Sequence, residues 1–130
     1  EYWLGFVPYF AKLPYEMYLL PRSDIGDLRD CSKAEIKSLA RALKILLTAL
    51  DQLWNQPQPY ILTIHQAPVS ESDISDYRCH IQILPMMRAP GLQKFLAGME
   101  TGAGQFLNDG SPEEKAVELL QAQRRNSSDS

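Results

Sequence analysis

Gln93 to Leu120 reads QKFLAGMETGAGQFLNDGSPEEKAVELL: a short apolar run, a glutamate set between glycines, a polar turn, and a helix start. Ser111 supplies an N-cap hydroxyl, Pro112 suits the first helical position and Glu114 the third. Ala116, Val117, Leu119 and Leu120 then give a closing helix its apolar face. Upstream, Leu92, Phe95 and Leu96 open either a fifth strand or a short helix, with a strand favoured. Small residues at Gly98, Gly102, Ala103 and Gly104 permit positive φ and close approach of a ligand or another backbone. Lys94 and Glu100 flank that patch, and a three-donor ammonium beside an acceptor-only carboxylate could grip the phosphate and hydroxyls of a sugar phosphate. The competing reading is a surface turn with two solvated charges, a common use of glycine-rich turns.

The strand that precedes this stretch, Tyr77 to Leu84, alternates. Cys79, Ile81 and Ile83 fall on one face, and Arg78, His80 and Gln82 on the other. Pro57 and Pro59 force an extended chain into Tyr60 to His65, which reads as the strand before it. If the two pair antiparallel with His65 near Arg78, His65 and His80 lie diagonally on the polar face, close enough to share a ligand or a metal. Two hydrogen-bonded strand histidines are the alternative, because zinc takes three or four ligands. The linking segment Gln66 to Asp76 is polar and carries Glu71, Asp73 and Asp76. Cys79, turned inward, reads as a small core residue. No Ser/His/Asp or Cys/His arrangement can be placed.

Towards the start of the chain, Tyr2 to Val7 reads as a strand and Met17 to Leu20, apolar on both faces, as an inner one. The charged segment Arg22 to Cys31 is a surface loop. Ser32 with Glu35 then forms a capping box. Ile36, Leu39, Ala40, Leu43, Leu46, Leu47, Leu50 and Trp54 recur at three-and-four spacing, the stripe of a long helix lying on the sheet. These elements predict an α+β fold: an antiparallel sheet of about five strands, one long helix packed on it, and a C-terminal helix. Residues 1–123 form one domain and 124–130 a polar, frayed tail.

A chain of 130 residues with net charge −3 and 45% hydrophobic residues is one globular domain without the basic cluster that nucleic acid or an anionic membrane would call for. Two cysteines and no signal-like or membrane-spanning run point to a reducing cytoplasm. The chain opens at Glu1 without Met, inside an apolar segment, as a piece of a longer polypeptide would.

Four separated pieces, VPYFAKLPYEMYLLPR, YILTIHQAP, HIQILP and KFLAGMETGAGQFLNDGSPEEKAVELL, resemble in that order the C-terminal half of the galactose-1-phosphate uridylyltransferase family. The resemblance implies a histidine-triad-like half and a double displacement that moves UMP between UDP-glucose and galactose 1-phosphate through a nucleotidylated histidine. In the family that nucleophile sits in a His-Pro-His motif of the first half. No His-Pro-His occurs here, so no catalytic residue is expected in this chain and by itself it should be inactive. The resemblance assigns substrate binding to Lys94, Ala97, Met99 and Glu100 on one strand, and more loosely to Gln105. It assigns metal binding, zinc or iron, to His65 and His80, with Gln82 standing where some members have a further histidine. It implies UDP-sugar and hexose 1-phosphate as ligands, and a homodimer or pairing with an N-terminal half. Alternatives are a nucleotide-sugar phosphorylase or adenylyltransferase of the same fold, which the Gly102-Ala103-Gly104 run also resembles, or a non-catalytic module binding a nucleotide or a partner.

Overall fold

The computed structural model describes residues 2–69 and 76–128. Strands β1 (Trp3–Phe6), β2 (Met17–Pro21), β3 (Tyr60–His65) and β4 (His80–Pro85) form one antiparallel sheet in the order β1-β2-β4-β3. A separate ribbon pairs β5 (Met87–Ala89) with β6 (Leu92–Gln93). The helices are α1 (Lys33–Gln52), α2 (Gly98–Ala103) and α3 (Pro112–Ser128), with a 3-10 turn at Leu28–Asp30. The α+β architecture is the expected one, with four strands in the main sheet. The fifth strand shrinks to Leu92–Gln93 in the ribbon, and Gly98–Ala103 is helical. Glu71 and Asp73 lie outside the described residues.

Alternation puts the core where β2 and β4 meet. Met17 lies opposite Ile83 and Leu19 opposite Ile81, all four buried together with Cys79 and, on α1, Leu39 and Leu50. The capping box starts α1 as the sequence predicts: the Glu35 N–H donates to the Ser32 hydroxyl at 3.2 Å, and the Ser32 N–H to the Glu35 carboxylate at 2.8 Å. Gly5 lets α1 approach β1, since a Cβ there would meet Leu46 at 3.1 Å. Ile36 and Ala40 stand on the exposed side of α1, whereas Ala42, Ala49 and Leu53 join the covered face. The cause is α3, which packs on α1 and widens the buried arc. On α3 the covered line runs through Leu119 and Ala122, so Val117 and Leu120 face outward. The polar segment from Arg124 continues α3 as far as Ser128. No helix among the described residues is long and apolar enough to cross a membrane.

Tyr15 ties the turn before β2 to α3. Its ring meets Trp54 edge-on, and its hydroxyl donates to the Glu118 carboxylate at 2.5 Å. Lys115 donates to both, at 3.3 Å and 2.9 Å. Burial first, then the bond to Glu118, raise the tyrosine pKa above its ordinary value. Removing a hydrogen bond to a charged group costs about 1.5 kcal/mol or more. Tyr15→Phe is therefore expected to lower stability by about that much in urea unfolding of the full chain. An unchanged midpoint would show that the bond contributes nothing.

Candidate substrate-binding loop and the histidine face

The loop after β6 is closed by a buried ion pair. Lys94 is 2% exposed and Glu100 4%, and the ammonium donates to the carboxylate at 2.7 Å. Glu100 also accepts from the Ala97 N–H at 2.7 Å and the Leu107 N–H at 3.1 Å, and Lys94 donates to the Leu107 carbonyl at 3.2 Å. The Ala97 bond is the reach-back half of a capping box, and it starts α2 although Ala97 has no side chain to reciprocate. Gly104, at φ 65°, ends the helix, and the Gln105 N–H returns to the Met99 carbonyl at 3.2 Å. The adjacent ammonium first, then these two backbone donors, lower the Glu100 pKa to about 2.

Lys94, Ala97, Met99 and Glu100, expected on one strand, lie on a turn and a short helix, and Gln105 follows the end of that helix. Lys94 and Glu100 are not solvated charges. They are the pair around which residues 94–107 fold, while Ala97, Met99 and Gln105 stand exposed on the outside. A helix forms at Gly98–Ala103 despite its glycines because Glu100 accepts from the N–H of the N-cap Ala97 and is itself held by Lys94.

On the sheet face turned away from α1, His65 lies directly opposite His80, not diagonally. Their rings stack with centroids 4.6 Å apart and planes 14° apart. The row extends across the sheet: Tyr18 stacks on His80 at 5.8 Å, and Phe6 on Tyr18 at 6.1 Å. His65 Nε2 lies 3.1 Å from the Thr63 hydroxyl, and His80 Nδ1 3.2 Å from the Arg78 carbonyl. Gln82 donates to Glu16 at 2.9 Å. A carboxamide so engaged beside two face-to-face imidazoles does not make the donor set zinc or iron needs. Among the described residues no group of three or more His, Cys, Asp or Glu could hold a metal ion. Cys79 is buried, and burial raises its thiol pKa to about 11, so it is not a reactive thiolate.

Sequence reading missed Glu16, a 1% exposed carboxylate that joins the two regions. It accepts from the Lys12 and Leu13 N–H groups at 2.7 and 3.1 Å as well as from Gln82. Asn108 in turn donates to the Ala11 carbonyl at 3.0 Å. The path from the loop to the histidine face thus runs through residues 11–16. Met17 and Leu19 facing the core was the one signal that could have put Tyr18 on the histidine side. An open cleft of about 810 Å³ between β1 and α1, lined by Trp3, Gly5, Arg41 and Leu46 among others, lies on the opposite face.

The chain is 35% identical over 124 residues to the galactose-1-phosphate uridylyltransferase of Thermotoga maritima, a match covering 95% of this chain and 39% of that protein. It superposes on a solved uridylyltransferase with a TM-score of 0.90 at 38% identity, covering 96% of this chain and 40% of that one. A zinc-bound histidine triad family protein from Mycobacterium smegmatis shares the fold at 15% identity, with a TM-score of 0.68 over all of this chain and 84% of that one. The chain thus spans about a third to two-fifths of the uridylyltransferases it matches. Residues 1–127 match the model of the galactose-1-phosphate uridyl transferase C-terminal domain, and the chain belongs to that family.

Proposed function

We propose that this chain is the substrate-binding C-terminal half of a nucleotidyltransferase that moves UMP between UDP-glucose and galactose 1-phosphate. The observation that carries the proposal is the similarity to uridylyltransferases along nearly the whole chain, at 35% and 38% identity, with a loop folded around Lys94 and Glu100. In this reading a histidine of an N-terminal half attacks the α-phosphorus of UDP-glucose, and glucose 1-phosphate leaves. A phosphate oxygen of galactose 1-phosphate then takes the uridylyl group from that histidine, so that one difficult transfer becomes two easier ones. This chain supplies no nucleophile. Residues 94–107 form its hexose 1-phosphate-binding segment, with Ala97, Met99 and Gln105 on the side offered to substrate and the Lys94–Glu100 pair holding them in place. No metal enters this reading, because His65, His80 and Gln82 do not form a ligand set.

Phe95, Leu96 and Met99 on the loop, and Tyr9 and Phe10 near Lys12, are exposed apolar side chains. They support assembly as a homodimer or against an N-terminal half. The test is uridylyl exchange by the full chain as its gene encodes it: incubated with UDP-glucose and labelled galactose 1-phosphate, it is expected to yield labelled UDP-galactose by ping-pong kinetics. Exchange with inorganic phosphate in place of the sugar phosphate would move the reading to a phosphorylase, and absence of both would remove it.

A further inference from the structure

A phosphate monoester brings about two negative charges, and the Lys94–Glu100 pair has no net charge with which to meet them. Its ammonium faces a carboxylate at 2.7 Å, and both side chains are out of solvent. Arg88, on β5 beside the loop, is paired with Asp109 at 2.8 Å. Lys12 is different. Its side chain is exposed, and its Nζ stands 5.1 Å above the centroid of the Phe106 ring, next to Gln105. No carboxylate forms an ion pair with it among the described residues.

The segment that carries Lys12 is held in place. Its own N–H donates to buried Glu16 at 2.7 Å, and the Ala11 carbonyl accepts from Asn108, which follows the loop. A lysine lying on a ring face leaves ammonium hydrogens directed outward, and the ring orients the charge without cancelling it. We propose that Lys12 is the phosphate-binding cation of the hexose 1-phosphate site, held by Phe106 at the edge of the loop whose buried Lys94 is already neutralised. The proposal rests on the reading of residues 94–107 as that site.

The test titrates the full chain with galactose 1-phosphate, with galactose and with inorganic phosphate, in the wild type and in Lys12→Met and Lys12→Arg. Loss of one charge-assisted contact is expected to weaken galactose 1-phosphate roughly 10- to 100-fold in Lys12→Met. Galactose affinity and the thermal midpoint should stay unchanged, and Lys12→Arg should restore most of the loss. Wild-type binding should also weaken with added salt. Unchanged binding of galactose 1-phosphate by Lys12→Met overturns the assignment, as do equal losses for galactose and its phosphate, or a wild type that does not bind the sugar phosphate. Inorganic phosphate bound as tightly as galactose 1-phosphate overturns it in favour of a free-anion site. Uridylyl exchange is scored separately: no exchange beside Lys12-dependent binding removes the transferase reading and leaves this one standing.

Discussion

Ile83→Ala is expected to lower the stability of the full chain by about 2–5 kcal/mol, and Ile83→Val by about 0.5–1.5 kcal/mol. Ile83 has no exposed surface. It lies between Met17 on β2 and Leu62 on β3, its partners on either side in the sheet. Truncation there removes the apolar contacts of a central strand and leaves a cavity that neither neighbour can close without breaking its own pairing. The measurement is the shift in urea midpoint at constant m-value. Costs for the two variants that differ little would mean that the site collapses around alanine and that β4 is not the centre of the core.

That residue could be chosen from sequence because Cys79, Ile81 and Ile83 repeat with the period of a strand. Ser32 and Glu35 were equally plain, since both halves of a capping box lie within one turn and depend on nothing distant. The pairing of β3 with β4 was not legible. The polar link between them is too long to fix a register, and a slip by two residues keeps every side chain on its face. The diagonal and the directly opposed histidines are therefore equivalent in pattern, but they differ in geometry: the observed register stacks the rings face to face. Likewise the three-and-four spacing predicted α1 but not that Ala49 is covered and Ile36 exposed.

At the loop, the residues singled out from sequence have surroundings other than the expected ones. Lys94 and Glu100 are six positions apart, a spacing with no local preference for pairing, and their meeting depends on a chain reversal that the pair itself stabilises. Charged residues beside glycines read as exposed on statistical grounds, yet three hydrogen bonds to Glu100 make burial tolerable. Glu16 was invisible for the same reason: its donors are two backbone groups in a turn and a side chain 66 residues away.

Burial of that pair sets the expectation for Glu100→Ala. With the carboxylate gone, the Ala97 and Leu107 N–H groups lose their acceptor and the Lys94 ammonium is left in an apolar site, so the loop should open. On the proposed reading, kcat/KM of the complete enzyme with its N-terminal half is expected to fall by about 100-fold for galactose 1-phosphate, the scale of a misplaced substrate, while hydrolysis of UDP-glucose changes little. The double variant Lys94→Met/Glu100→Met removes the stranded charge and should recover part of the thermal midpoint without recovering hexose 1-phosphate use, which separates the role in folding from the role in binding. The pH dependence follows from the lowered carboxyl. Because the folded pKa is about 2 and the unfolded value is near the ordinary glutamate value of about 4.3, the stabilisation is complete above that ordinary value. It is lost as pH falls through it towards 2. The gap in thermal midpoint between wild type and Glu100→Gln should therefore be constant above about pH 5.5 and close on acidification. A gap that persists at pH 2, or equal losses of hexose 1-phosphate use and UDP-glucose hydrolysis, would show that Glu100 acts other than by holding this loop.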